Sequence, residues 1–241
     1  MNPLALRLVL SLLACWSIAF LAPVYAQETD KRWSLSVGHY RYSDDSLGHD
    51  LDLHWDGDKT TAWLGAYRDH SISQVRAGFD TSFAVADKVT LQPSLQLATH
   101  RFVGASATLQ IGDPWYGLIG WGRTNLAPYF DQNFELNDAV TIGAGWNGAA
   151  GRTVSLSIIA DDRLHTSQKD WHLAGTWPLS PGAGLVFDLI RKTGRSDGGS
   201  VHAWGATAGL DFSRWFLRLT RDPDQSFSTI DATRLYAGVR F

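Results

Sequence analysis

A serine hydroxyl becomes a nucleophile only with a base in hydrogen-bond reach and a third group to orient that base. His165-Thr166-Ser167 has the residue types and the local spacing of the first two partners. The pair falls in a polar stretch, Asp161 to Gln168, and no third group stands at a recognisable distance from it. His39 and His70-Ser71 offer less, and His49, His54 and His100 do not have the spacing of a metal-ligand set. A phosphate loop, a dinucleotide fingerprint and a basic patch are all missing. The formal net charge of -3 argues against a nucleic-acid partner. Cys15 and Met1 are the only residues of their kinds, so the chain beyond its first 26 residues has neither thiol nor disulfide. The expectation is no cofactor and no metal.

A larger ionisable set recurs at alternating positions: Asp50, Asp52, His54, Arg76, Asp80, His100, Asp170, His172, Asp188, Arg218, Arg234 and Arg240. On the inside of a closed wall, such residues either pair across neighbouring strands or form charged rings that select solutes. A strongly selective ring shows one dominant sign. Here acids and arginines nearly balance, which favours a paired, lumen-lining network.

The elements that must position these residues are short and alternate with period two. Leu51, Leu53 and Trp55 alternate with Asp50, Asp52 and His54. Val75, Ala77, Phe79, Thr81 and Phe83 oppose Gln74, Arg76, Gly78, Asp80 and Ser82. A period of two with one apolar face is a strand between two solvents. About fourteen such segments follow Trp33, of the length a tilted membrane strand needs, ~9–11 residues. Twelve is the alternative count, because the segments at Thr60 to Asp69, Gly104 to Ile111 and Trp115 to Arg123 are ambiguous. Pro93 falls inside a segment read as Val89 to Phe102 and predicts a local bulge. Short turns alternate with longer or polar loops, and Trp33, Trp55, Trp146, Trp171, Trp177, Trp204 and Trp215 sit near segment ends. Both features belong to transmembrane barrels. The rival, a secreted β-sandwich, needs two covered inner faces rather than one continuous apolar exterior.

Met1 to Ala26 reads as a cleaved secretory signal. Arg7 precedes an apolar run from Leu8 to Leu21, and Val24-Tyr25-Ala26 makes a small-x-small site before Gln27. A transmembrane helix is opposed by Pro23, and a lipoprotein signal at Cys15 by the apolar residues that follow it. One domain, residues 27–241, remains.

In the last segment, Leu235, Ala237, Val239 and Phe241 alternate with Arg234, Tyr236, Gly238 and Arg240. This segment resembles the closing strand of bacterial outer-membrane β-barrels. The resemblance implies that Tyr236, Gly238 and Phe241 belong to a signal read by the barrel-assembly machinery. It also implies a Gram-negative outer-membrane location, contact with outer-membrane lipid, and both mature termini on the periplasmic side.

The fold class expected is therefore all-β: an antiparallel transmembrane β-barrel of about fourteen strands. The function expected is a structural or small-solute channel of unknown cargo. Two alternatives accompany it. His165 and Ser167 match the His-x-Ser arrangement of outer-membrane lipid hydrolases. The aromatic stretch Asn125 to Leu136, with Tyr129-Phe130 and Asn133-Phe134, could serve as a binding or adhesion loop.

Overall fold

The computed structural model describes residues 32–131, 137–196 and 198–241. The expected signal at 1–26 lies outside the described residues. Those residues form fifteen strand segments: β1 (Trp33–Tyr42), β2 (Leu47–Asp56), β3 (Thr60–Arg68), β4 (Ser73–Thr81), β5 (Phe83–Ala86), β6 (Val89–Ala98), β7 (Phe102–Ile111), β8 (Trp115–Thr124), β9 (Ala139–Asn147), β10 (Thr153–Asp161), β11 (Lys169–Ser180), β12 (Ala183–Ser196), β13 (Gly199–Phe212), β14 (Trp215–Asp222) and β15 (Ala232–Arg240).

Every neighbouring pair is antiparallel, and the sheet closes on itself. β1 pairs with both β2 and β15, while β4 and β5 both pair with β6. Because β4 and β5 share one neighbour, they are two halves of one stave, and the barrel has fourteen. The three ambiguous segments are full staves, so the twelve-strand count is set aside. Closure leaves no unpaired edge, which lets a sheet sit in lipid with its backbone groups satisfied.

Alternation decides which side chains meet which solvent. β1 exposes Trp33, Leu35 and Val37 and buries Ser34, Ser36, Tyr40 and Tyr42. The same rule resolves β3, whose two faces are both rich in apolar residues. Leu64 and Ala66 point out; Gly65 and Tyr67 point in. Large apolar side chains exposed round the outside include Val75, Phe79, Leu97, Ile119, Ile142, Leu156, Leu189, Leu219 and Leu235. A soluble monomer rarely exposes a continuous apolar belt. Trp33, Trp115, Trp177 and Phe241 stand exposed at the end of the short turns, and Trp121, Trp171 and Trp204 toward the other end. These are two aromatic girdles.

Two details differ from the sequence reading. Pro93 makes no bulge against β7, where Pro93 faces Ala107 in regular register. The irregularity lies on its other side, where the stave facing β6 breaks between Thr81 and Phe83. Proline has no N–H to donate, so it removes a rung from that ladder. The segment from Val89 also stops at Ala98, and a tight turn at Thr99 to Arg101 precedes β7.

Candidate functional site

Inward side chains divide the lumen into two unlike walls. β6 to β10 contribute small and neutral residues: Ser94, Gln96, Ser106, Thr108, Gly122, Thr141, Ser155 and Ser157. β1 to β4 and β11 to β15 contribute most of the charges and tyrosines, Tyr116 on β8 being the exception beside Gly145.

On the charged wall, partners sit on adjacent or nearby strands. Arg76 donates to Asp52 at 3.0 Å, with both side chains 1% exposed. The Tyr40 hydroxyl donates to Asp50. Gln92 donates to Asp80 at 3.0 Å. His172 Nδ1 lies 2.9 Å from Asp188. Arg218 and Arg240 converge on Asp211, each at 2.7 Å. Arg234 stands over the rings of Tyr40 and Tyr236, with its guanidinium carbon 5.8 and 5.6 Å from their centres. Asp170 is almost fully buried beside this group, in register with Lys192. His54 is half-buried on the inward face of β2.

His100 is placed elsewhere. It lies exposed in the β6–β7 turn with φ 63°, outside either face of a strand. The turn interrupts the alternation that assigned it inward. Several inward residues escaped the sequence reading. Lys192 Nζ lies 2.7 Å from Asp222, with side chains 1% and 0% exposed. Lys192 shares the parity of Asp188, but Ile190 between them masks a polar face. Asp211 opposes the apolar run Trp204, Ala206, Ala208 and Leu210, so its inward direction was readable.

The loop between β8 and β9 turns into the lumen. Phe130 stacks on Tyr67 with ring centres 3.7 Å apart and meets Tyr40 edge-on at 5.8 Å. Its backbone N–H donates to Gln74 Oε1, and its carbonyl accepts from Gln74 Nε2, each at 3.0 Å. Tyr129 stacks on Phe102 at 4.0 Å. Burial, with the nearby Asp131 carboxylate, pushes its phenol above the ordinary range. The Tyr42 and Tyr67 hydroxyls meet at 2.6 Å beneath this layer. Residues 132–136, including Asn133 and Phe134, lie outside the described residues.

The two ends of the loop are tied at Asp138. It accepts from the Thr124 N–H at 3.1 Å and from the Thr124 hydroxyl, and Arg163 donates to it at 2.6 Å. Burial raises the Asp138 carboxyl, but the Thr124 and Arg163 donors outweigh it and hold it below the usual carboxylate range. A second loop, between β14 and β15, inserts Phe227 beside Val201 and Ala203, with Lys192 5.9 Å from its ring centre. Between the first loop and the neutral wall remains a cavity of about 210 Å³, lined by Ser94, Gln96, Ser106, Thr108, Asp131 and Thr141 among others.

His165 and Ser167 are not brought into a catalytic arrangement. Both are exposed in the β10–β11 loop with φ 57° and 58°. The oriented hydroxyl there is that of Thr166, which donates to Asp161 at 2.6 Å. Of the residues expected to belong to an assembly signal, Tyr236 and Gly238 face the lumen, where Ser36 donates to Tyr236 at 2.5 Å, and Phe241 is exposed outward.

No protein-family model matches this chain, and no curated protein matches it. Among solved structures, the chain is similar to the outer membrane protein Omp33 of Acinetobacter baumannii. The identity is 10% and the TM-score 0.59, over 89% of this chain and 100% of that one. The NanC porin aligns at 10% identity and TM-score 0.49, over 86% of this chain and 98% of that one. The KdgM porin aligns at 10% identity and TM-score 0.45, over 86% and 98%. At this identity the likeness to Omp33 establishes the fold: that of an outer-membrane β-barrel.

Proposed function

We propose that this protein is an outer-membrane channel for small polar solutes, narrowed from within by the β8–β9 loop. One observation carries the reading. A polar cavity stands open between that loop and a wall of serine, threonine and glycine, while the charges opposite are already paired. Such a path offers hydroxyls to a solute and no dominant sign to exclude an ion. It therefore discriminates by size more than by charge. The short turns and both mature termini face the periplasm in this reading, and the long loops face outward. Outer-membrane lipid and the barrel-assembly machinery are its partners.

The test is conductance of the purified protein in planar bilayers, after heat-modifiable gel migration has verified the folded barrel. Discrete current steps with little preference between cations and anions are expected. The Tyr129→Ala, Phe130→Ala double variant removes the stacks on Phe102 and Tyr67 and should give larger or noisier steps. A folded barrel silent in both forms would overturn the channel reading.

A further inference from the structure

The outward face near the long-loop ends of β11, β12 and β13 carries three ordered rows. Trp171, Arg191 and Trp204 lie side by side in strand register. The next outward row toward the loops is Lys169, Thr193 and His202. The next row toward the middle of the barrel is Leu173, Leu189 and Ala206. From loops to belt, the face therefore runs basic, then tryptophan and arginine, then aliphatic.

The three basic side chains are exposed, and among the described residues none of them holds a carboxylate. Arg191 lies over Trp204, its guanidinium carbon 5.2 Å from the ring centre. Three other outward arginines hold a carboxylate: Arg41 with Asp45, Arg123 with Asp162 and Arg221 with Asp231. Arg68 and Arg195 also face outward without one among the described residues, but neither has a tryptophan beside it in strand register. The nearest ionisable residues on the same strands, Asp170, Asp188 and Lys192, point into the lumen. A cation beside an apolar belt costs free energy unless a counter-charge meets it. Tryptophan marks headgroup depth, and guanidinium binds phosphate through paired donors.

We propose that this face binds a phosphorylated lipid. Its phosphates lie on Arg191, Lys169 and His202, and its acyl chains lie along Leu173, Leu189 and Ala206. Two permanent cations and an imidazole exceed what one phosphodiester headgroup can neutralise. The occupant that fits is a lipid with two phosphates, drawn from the leaflet on the long-loop side. The choice of leaflet rests on the loops-outward orientation proposed above; the binding itself does not.

The test is native mass spectrometry of the full barrel in detergent, titrated separately with diphosphoryl lipid A and with phosphatidylglycerol. Wild type should retain diphosphoryl lipid A more tightly than phosphatidylglycerol, and added salt should weaken the adduct. The Lys169→Gln, Arg191→Gln, His202→Gln variant should lose about tenfold or more in affinity, the loss of at least one charge-assisted contact. Arg191→Lys keeps the charge but not the paired donors, and should fall between the two, which preserves the test if the triple variant folds poorly. Equal retention by wild type and variants would overturn the proposal, as would equal affinity of wild type for phosphatidylglycerol. Labelling of Leu164→Cys in intact cells tests the orientation separately.

Discussion

Asp138 shows how one side chain can hold a loop inside a lumen. It gathers two donors from Thr124 and one from Arg163, so both ends of the β8–β9 loop depend on its charge. Its lowered carboxyl fixes the direction of the pH effect. The stabilisation is present above the unfolded carboxylate value, about 4, and is lost as pH falls through the lower folded value. In the channel proposed above, wild-type current noise should therefore stay flat from neutral pH to about 4 and rise only below that. Asp138→Asn should reproduce the noisy state at neutral pH. Losing a charge-assisted hydrogen bond, about 1.5–3 kcal/mol, would raise the released-loop population roughly ten- to a hundredfold. Flat noise in the variant would show that the stacks of Tyr129 and Phe130 alone hold the loop. At this scale the sequence was only partly readable. Asp52, Arg76 and Arg240 could be placed inward because each sits in an unbroken alternation. The role of Asp138 could not, because its partners lie across a loop and on a third strand, and no period links them.

The strands themselves were legible because a barrel wall meets lipid on one side and polar groups on the other, and each residue reports which. The inward loop was not, because Phe130 meets Tyr40, Tyr67 and Gln74 only after the sheet closes. The elements also carry fitted contacts that alternation does not reveal. Gly38 on β1 faces Asp50 on β2, and a Cβ there would stand 2.2 Å from Asp50 Oδ1, which shares its carboxylate with the Tyr40 hydroxyl. Glycine is needed here for space. Gly38→Val should displace Asp50 from Tyr40 and cost about 1–3 kcal/mol as an overpacked contact, seen as a lower urea midpoint for the folded barrel. Gly117→Ala is the matched control on β8, where the nearest atom to a new Cβ is 3.9 Å away. A midpoint unchanged by Gly38→Val would mean that this part of the wall yields without loss.

A barrel exists only when its first and last staves meet, so whole-molecule stability converges on one seam. β1 and β15 pair from Ser34 with Arg240 to Tyr42 with Ala232. The seam ends in two reciprocal backbone bonds, Trp33 N–H to Phe241 O at 3.0 Å and Phe241 N–H to Trp33 O at 2.8 Å. Phe241 thus has two separable jobs: its backbone completes the seam, and its ring stands outward in the short-turn girdle. Deleting Phe241 removes both, whereas Phe241→Ala keeps the bonds and removes the ring. If the ring is what the assembly machinery reads, both variants should accumulate unassembled in cells, while Phe241→Ala refolds in detergent as well as wild type. If the seam matters more, Phe241→Ala should assemble normally and only the deletion should be impaired, in cells and in detergent alike. The two lost bonds are worth about 1–3 kcal/mol together, enough to lower the heat-stable fraction on a gel without abolishing the barrel. Normal insertion of the deletion would show that the nine residue pairs of β1–β15 close the barrel unaided, and that neither the ring nor the last two bonds direct its assembly.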